Sequence, residues 1–599
     1  MASIAHRLIR QTCRPGRVFF LQLVALAYFI ALPSHAARAA AVRSTAAFPG
    51  ASLIEKLQAA IQNCGSEPCE VMIPAGTYEL NAIRTWTHQD KFGAKLGVAI
   101  PSNVKIQGAG VGLTTIRVTR AAGDPPATLF ENSDHPSRNI RISDMSVIWN
   151  DSDSKYDWNS IVRCFECTDL ELSRLWLEGN PNKLVNLLDN SHANIHDSTF
   201  LLRSTSYGHG DNALSFSRFD PAAAPDADAG VVRNNKFIEA GNFRSFSMLI
   251  VSQSGLYVTS NTFENASAPN TNTATGIEMG KDNTAHLPSN VRISENIFRA
   301  SSIAHGGLND SEIRANTFYH GDIYIALQDG TIGSLAGLSI TDNELHFGSI
   351  GINGLEHTLT SRCTISHNRV FDGSIGVGNA SYIRDVEVSY NLVRYSRNQN
   401  GIDCYACSIV RGNVVREVGQ NGVGSVAAGY LLSGVIFDVS DNLYVDEQRE
   451  YDSGTICSVP SPTSNACMNS GNSRWIRLQG GAWGEAWTNR TLFTERGNLL
   501  IHTFVQDSLL ELDDDVHYVP SGTKYHLYRT TYNAFELNGA SIVEFANNTA
   551  ISVNGAFRHA AVQENGTVRI ESIFGNVFRP FTCVGACTND YGSRAGNSK

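Results

Sequence analysis

Residues 291–298 read Val-Arg-Ile-Ser-Glu-Asn-Ile-Phe, and this stretch decides the fold because versions of it recur along the chain. In each version apolar and polar residues alternate, an Asn follows, and an apolar residue comes two positions after the Asn. The alternation has the period of two that β-strands show, not the spacing of helices. The recurring asparagines are Asn235, Asn261, Asn296, Asn316, Asn343, Asn368, Asn391 and Asn413. Their mean spacing of about 25 residues indicates a repeat of short strands.

A second short strand precedes most of these units, as at residues 276–279 and 349–352, so three short strands fit into one period. Such a unit buries its apolar face only against copies of itself. The sequence therefore predicts an all-β fold, a single-stranded right-handed parallel β-helix with coils of about 25 residues. We expect the asparagines at a bend, where they tolerate left-handed backbone angles and hydrogen-bond from coil to coil. A leucine-rich repeat has a similar period, but no repeat here contains a Leu-rich helical half.

The N-terminal region predicts a cap for this solenoid. Apolar residues at positions 53, 54, 57, 60 and 61 have helical spacing, and Ser52 is a suitable N-cap. The turn I-P-A-G-T-Y at 73–78 and the segment I-x-G-x-G-x-x-x-T-x-I at 106–116 follow. Together these features resemble the opening of the pectin-lyase-like superfamily of right-handed parallel β-helix repeat proteins. The motifs cover about residues 50–120, and the generic repeat covers about 230–445. The resemblance implies that carbohydrate lies along one exposed sheet and its flanking turns.

The composition predicts an exported protein that does not bind nucleic acid. Five arginines and no acid accompany the apolar run 18–32, and Ala37-Arg38-Ala39 is a cleavage option, so residues 1–39 read as a signal peptide. A membrane-spanning helix would need about 20 apolar residues, more than this run has. The net charge of −10 disfavours unspecific nucleic-acid binding. We expect a secreted or periplasmic protein with no membrane span after signal cleavage.

The remaining boundaries follow the repeat. We predict the N-terminal cap and first coils at 45–125, the parallel β-helix at 126–445, a disulfide-bearing loop at 446–474, and final coils with a C-terminal cap at 475–599. The loop is predicted because residues 446–474 are rich in Ser, Pro and Asn and break the period.

The cysteines predict local disulfides in an oxidising compartment. The three pairs that lie close in sequence are Cys64 with Cys69, Cys457 with Cys467, and Cys583 with Cys587. A zinc site shared by the two C-x-x-C motifs is excluded, because about nine or ten coils separate them. The sequence leaves open the pairing of Cys164, Cys167, Cys363, Cys404 and Cys407.

Candidate site residues come from the outward positions of the second strand and from two clusters of titratable groups. The clusters are the Gly-containing turn 207–212 and the strand end 278–282. The first resembles in part the Y-G-x-D-P-H segment of alginate epimerases, although the order of His and Asp differs and the Pro is missing. We predict as catalytic residues Tyr207, His209, Asp211, Glu278 and Lys281, and as substrate-binding residues Arg218, Tyr324, Asn353 and Asp403.

Three functions fit these residues, all with a polysaccharide as partner. In a polysaccharide lyase, which we expect first, Lys281 or a Tyr abstracts a proton from a uronic-acid unit, and Asp211 and Glu278 hold a calcium ion. In an inverting glycoside hydrolase, Asp211 and Glu278 are the acid and the base. The third alternative is a non-catalytic adhesin or glycan-binding β-helix. The oligomeric state is left open.

Overall fold

The chain winds into a parallel β-helix, as a computed structural model shows. It describes residues 41–591 except 66, 82, 91, 122, 152–158, 204–211, 219–227, 242–245, 270–273, 281–285, 305, 327–334, 354–359, 379–383, 397–399, 406, 419–426, 447–449, 465, 469–474, 480–490, 495–496, 507–508, 513–519, 529–532, 554–559, 580 and 588. Each coil contributes one short strand to each of three parallel sheets, which we call sheets one, two and three. The predicted fold class is confirmed.

Sheet one holds the strands that were predicted before each Asn-containing unit. Its strands are Lys95–Ile100, Ala127–Asn132, Ser160–Phe165, Lys183–Leu188, Asn212–Ser217, Phe246–Ile250, Ala274–Met279, Ser301–Ala304, Ile323–Ala326, Ile350–Asn353, Ile375–Gly378, Ile402–Cys404, the first halves of Ala428–Ser440 and Asn533–Ala546, Ala560–Asn565 and Cys583–Gly585. A two-residue strand, His88–Gln89, pairs antiparallel with the first of them.

Sheets two and three flank the asparagine of each coil. Sheet two consists of Ala41–Ser44, Cys69–Ile73, Val104–Gly108, the first halves of Arg141–Asp151 and Glu171–Gly179, Ala193–His196, Gly230–Arg233, Leu256–Thr259, Arg292–Ser294, Glu312–Arg314, Ser339–Thr341, Cys363–Ser366, Val386–Ser389, Cys407–Arg411, the second halves of Ala428–Ser440 and Asn533–Ala546, and Arg569–Phe574. Sheet three consists of Gly76–Leu80, Thr114–Arg120, the second halves of Arg141–Asp151 and Glu171–Gly179, Thr199–Leu202, Lys236–Glu239, Thr262–Asn265, Ile297–Arg299, Thr317–Tyr319, Glu344–His346, Arg369–Phe371, Leu392–Arg394, Val414–Arg416, Leu443–Asp446, Thr549–Ser552 and Val577–Arg579. Two further two-stranded pairings join Ser137–Arg138 to Cys167–Thr168 and Leu335–Ala336 to Thr360–Ser361.

The predicted asparagine ladder is present between sheets two and three. The Nδ2 of each Asn donates to the Oδ1 of the Asn on the next coil at 2.9–3.1 Å, from Asn235 to Asn413. The ladder continues through Asn442 and Asn548 to Asn576. The left-handed backbone angle belongs to the residue before the Asn, as at Glu295 with φ 57° and Asp342 with φ 56°, and not to the Asn itself. The preceding residue therefore makes the bend, and the Asn side chain bridges the coils.

Stacked side chains fill the interior of the solenoid. Phe200, Phe237, Phe263, Phe298 and Phe318 occupy one position on successive coils, with ring centroids 4.4–4.8 Å apart and nearly parallel planes. All five are fully buried. Offset stacking of aromatic rings adds to the burial of their apolar area, so this column stabilises the middle of the solenoid.

An amphipathic helix closes the N-terminal end, as predicted. The α-helix Leu53–Gln62 begins after Ser52, whose Oγ accepts from the backbone N–H of Glu55. Leu53, Leu57 and Ile61 are buried against the first coils. Short 3-10 helices at Thr45–Ala47 and Ile83–Thr85 lie nearby in the sequence.

An inserted antiparallel barrel replaces the loop that was predicted for 446–474. Six strands close the barrel: Glu450–Val459, Trp475–Gln479, Thr491–Thr494, Gly497–Gln506, Leu509–Leu512 and Lys524–Tyr528. The solenoid resumes at Asn533, and the strand from Asn533 pairs directly with the strand from Ala428. Part of the segment expected to form final coils is therefore an insertion between two adjacent coils. The parallel strands after Asn533 do complete the solenoid.

All three predicted disulfides are present, Cys64–Cys69, Cys457–Cys467 and Cys583–Cys587. The two C-x-x-C motifs also form internal bridges, with Cα–Cα distances of 5.9 Å for Cys164–Cys167 and 5.6 Å for Cys404–Cys407. Cys363 is buried and is the one free cysteine in the part of the chain that the structure describes. Within that part, no helix has the length and apolar character to cross a membrane.

Candidate functional site

One outward-facing line of side chains runs along sheet one, and we call it the outer column. Strand register places Glu131, Arg163, Asn186, Ser215, Leu249, Glu278, Ala304, Tyr324, Gly351, Gly376, Asp403, Leu431, Glu536 and Gln563 on successive coils. Neighbouring members are one coil apart, about 4.8 Å. The outer column holds three of the predicted site residues, Glu278, Tyr324 and Asp403.

The N-terminal part of the outer column is buried. Arg163 is 1% exposed and forms ion pairs with Asp90 and Glu131, and its guanidinium lies over the ring of Phe92. Glu278 is only 2% exposed, although sequence alternation predicted an exposed side chain. The alternation identifies the outward face of the sheet correctly, but other parts of the chain cover this face here.

The cluster predicted around Glu278 is only partly described. Tyr207, His209, Asp211 and Lys281 lie outside the described residues. The strand that begins at Asn212 is two coils before the Glu278 strand, as expected, but Asn212 is in register with Thr275, and Ser215 is the residue in line with Glu278.

Arg218 lies far from Asp403 along the solenoid. Arg218 pairs with Asp189 on the preceding coil at 3.6 Å, and its strand is seven coils, about 34 Å, from that of Asp403.

The predicted calcium site has few oxygen ligands among the described residues. Leu249 and Ala304, the neighbours of Glu278 in register, offer no side-chain oxygen, and the described residues include no cluster of three metal-binding side chains. Calcium binding by Asp211 and Glu278 stays a prediction.

The column is more exposed from Tyr324 to Asp403, and Leu431 and Glu536 beyond Asp403 are buried again. The Tyr324 side chain is 39% exposed, and Asn353 Nδ2 on the next coil donates to its hydroxyl at 3.4 Å. Gly351, Gly376 and Gly378 follow toward Asp403. The Tyr324 ring lies against Gly351 and the Asn353 side chain against Gly378, so of these three Gly376 is the open position. A Cβ atom built on Gly376 would meet no atom within 4 Å. The structure thus brings together Tyr324 and Asn353, two of the predicted substrate-binding residues.

Two carboxylates follow, the half-buried Asp403 and the buried Glu536. Leu431 separates them, so they are two coils apart on the outer column. Asp403 Oδ2 accepts from Asn400 Nδ2 at 3.1 Å, and Asp403 Oδ1 is buried without a hydrogen-bond partner among the described residues. Two coil spacings place the Cα atoms of Asp403 and Glu536 roughly 10 Å apart.

Amide side chains surround Glu536 in a closed ring of hydrogen bonds. Asn533 donates to Glu536 Oε2 at 3.2 Å and to the Gln563 side-chain oxygen. Gln563 donates to Asn565 Oδ1 at 2.9 Å, and Asn565 donates to Glu536 Oε1 at 2.9 Å. Hydrogen bonds of this kind favour the ionised carboxylate.

The electrostatics of the two acids differ. The pKa of Asp403 is raised to about 6, mainly by burial; the Asn400 hydrogen bond lowers it, and the nearby Glu536 carboxylate contributes a smaller increase. Tyr405 follows two residues later, and burial, then Asp403 and Glu536, raise the pKa of its hydroxyl. The Cys404–Cys407 bridge closes the turn that contains Tyr405, and the Tyr405 N–H donates to the Val377 carbonyl at 2.9 Å. The site therefore contains one acid with a raised pKa and a second carboxylate whose hydrogen-bond donors favour the ionised form.

Sequence reasoning placed Asp403 on this face but missed Glu536. The repeat could be followed only to about residue 445, and the inserted barrel separates Glu536 from the last coil that was recognised. The one available signal was the segment 541–545, which continues the Glu536 strand and has the same alternation as the earlier repeats.

Comparisons with known proteins add fold neighbours. No family model and no curated protein matches the sequence. A mutant tailspike protein of E. coli bacteriophage HK620 in complex with a hexasaccharide is 12% identical, with a TM-score of 0.46 and coverage of 80% of this chain and 90% of that one. The A-module of Azotobacter vinelandii mannuronan C-5 epimerase AlgE6 is 14% identical, with a TM-score of 0.31 and coverage of 67% and 99%. The Agl-KA catalytic domain is 12% identical, with a TM-score of 0.36 and coverage of 68% and 66%. At these values the similarity carries no argument about activity, and the fold rests on the strand register described above.

Proposed function

We propose that the chain is a secreted or periplasmic glycoside hydrolase that cleaves a polysaccharide with inversion, using Asp403 and Glu536. The observation that carries the proposal is the placement of these two carboxylates two coils apart on one outward column. Their Cα atoms are roughly 10 Å apart. In inverting glycosidases the carboxyl groups are about 6.5–9.5 Å apart, which leaves room for a water molecule. The disulfides support the exported location.

The two environments assign the roles. Asp403, with a pKa of about 6, is protonated in mildly acidic solution and serves as the general acid. Glu536 accepts hydrogen bonds from Asn533 and Asn565, which favour its ionised form, and serves as the general base. Asp403 gives its proton to the glycosidic oxygen while Glu536 takes a proton from the water that attacks the anomeric carbon. The reaction leaves Asp403 ionised and Glu536 protonated, and proton exchange with solvent restores both.

Hydrolysis fits the described residues better than β-elimination does. A lyase needs a cation to neutralise the uronate carboxylate. From Tyr324 to the end of sheet one, the outward positions that the structure describes carry no Lys, Arg or His.

The test is product analysis with the full-length protein on a panel of soluble polysaccharides. We expect new reducing ends, no ultraviolet absorbance from unsaturated sugars, and an inverted anomer in the first NMR spectra. Asp403→Asn and Glu536→Gln should each lower kcat about 10³-fold. Glu571→Gln, at an exposed position of sheet two, is the matched control and should leave kcat unchanged.

The roles are separated with an aryl glycoside that has an activated leaving group. Such a substrate needs no protonation, so Asp403→Asn should recover most of its activity while Glu536→Gln should not. Unsaturated products would instead support a lyase. Full activity of both variants would place the catalytic site elsewhere on the solenoid, and glycan binding without turnover would support the non-catalytic alternative.

A further inference from the structure

The part of the outer column from Tyr324 to Gln563 differs in chemistry from a surface that binds acidic polymers. It contains two carboxylates, Asp403 and Glu536, that interact electrostatically. Glu536 contributes to the raised pKa of Asp403, and both contribute to the raised pKa of the Tyr405 hydroxyl. No described outward residue on this part of sheet one carries a positive charge. A polyuronate or sulfated chain laid here would meet like charge, and the described outward residues of sheet one provide no cation to compensate it, which costs binding free energy.

The polar groups on this face suit hydroxyl groups. The half-buried Asn353, Asn565 and Gln563 are amides, which donate and accept at once, as sugar hydroxyls do. The buried Asp403 Oδ1 has no hydrogen-bond partner among the described residues and is the kind of atom that a ligand hydroxyl would satisfy. Neutral donors and acceptors, and not fixed charges, therefore define recognition on this face.

The face also has the length for a chain. From Tyr324 to Gln563 the outer column spans six coil spacings, about 29 Å, with the acid pair in its second half. Before Asp403 the column has open space at Gly376, where a linear oligosaccharide can approach the backbone closely.

We infer that the substrate of the Asp403 and Glu536 site is an uncharged polysaccharide that lies along the outer column over Gly376. This inference rests on the proposed function for the location of the site. It replaces the uronic-acid polymer expected from the sequence by a glycan without carboxylate or sulfate groups.

The experiment uses full-length Asp403→Asn protein on an array of immobilised uncharged, uronate and sulfated glycans. At pH 7.5, above the Asp403 pKa of about 6, this variant has lost one negative charge, which favours anions, so rejection of acidic glycans is a stringent result. We expect binding only to uncharged glycans, with less than about twofold change between about 50 mM and about 500 mM NaCl. Binding to acidic glycans, binding to none, or strong salt dependence would overturn the inference.

A pair of substitutions at Gly376 tests the position of the chain. The site has open space for a side chain, so Gly376→Lys and Gly376→Gln should both fold. Each should weaken binding of the uncharged glycan about tenfold, and only the Lys variant should gain affinity for uronate glycans. Unchanged affinity in both variants would place the substrate elsewhere.

Hydrolysis by the wild-type protein separates this inference from the proposed function. If uncharged glycans bind and are not cleaved, only the hydrolase proposal fails. If an acidic polysaccharide is cleaved with inversion, only the assignment of the substrate class fails.

Discussion

Replacing Asp403 by Asn should change how stability depends on pH. In the folded protein the pKa of Asp403 is raised to about 6, mainly by burial, whereas in the unfolded chain it is about 3.9. The folded state therefore keeps a proton that the unfolded chain has lost. This stabilisation is complete below the unfolded pKa and disappears as the pH rises through about 6. Its full size is about 3 kcal/mol, of which roughly 2 kcal/mol is lost between pH 4.5 and pH 7.5.

The measurement is urea unfolding of the wild type and of Asp403→Asn at both pH values, followed by tryptophan fluorescence. The side chain of Asn does not titrate, so the variant should gain roughly 2 kcal/mol relative to the wild type on going from pH 4.5 to 7.5. Asp385→Asn is the control, because Asp385 is exposed at a turn and Asn accepts its backbone angle of φ 55°. It should give the same difference from the wild type at both pH values. A change below about 0.5 kcal/mol for Asp403→Asn would refute the reasoning, since it would mean that Asp403 is solvated.

Three further predictions concern the coils and the reaction. Asn343→Ala removes two donated and two accepted ladder bonds and should lower the free energy of unfolding by about 3 kcal/mol, with half-buried Ser339→Ala as the control in denaturant unfolding. Phe263→Ala, between rings at 4.8 Å on both sides, should lower it by about 3–5 kcal/mol in the same assay, and a loss below 1 kcal/mol would contradict the packing argument. If Asp403 is the general acid, kcat should fall tenfold per pH unit above about pH 6, and a flat profile up to pH 8 would exclude that role.

The fold was predictable because its determinants are local and repeat. An apolar pair, a bend and an Asn recur in each coil, and each coil repeats the same contacts with its neighbours. Two expectations were wrong. The segment predicted as a loop contains part of an inserted barrel. At the bends, residues such as Glu295 adopt the left-handed angle, while Asn296 bridges the coils. Sequence shows which residues recur, but it does not show which of two adjacent residues takes the strained angle.

The sequence predicted which residues of sheet one point outward, but not how exposed their side chains are. The period of two identifies the face on which Glu278 and Asp403 lie, and the register confirms that both belong to one column. It does not show that Glu278 is 2% exposed while Tyr324, two coils later, is 39% exposed. Coverage of a sheet face depends on segments outside the repeat, whose packing has no periodic signature.

The proximity of Asp403 and Glu536 also depends on contacts between coils that are far apart in the sequence. Asn442 donates to Asn548 across the barrel insertion with the same 3.0 Å geometry that links coils elsewhere, so the stack continues as if the insertion were absent. In a solenoid each coil is stabilised by its immediate neighbours, and an insertion between two coils is tolerated where the strands on either side still pair. That pairing sets Leu431 beside Glu536 and thereby brings Glu536 within two coils of Asp403. A second carboxylate distant in sequence therefore becomes a partner for the first only through the ladder, and a search for it has to follow the recurring Asn beyond the interruption.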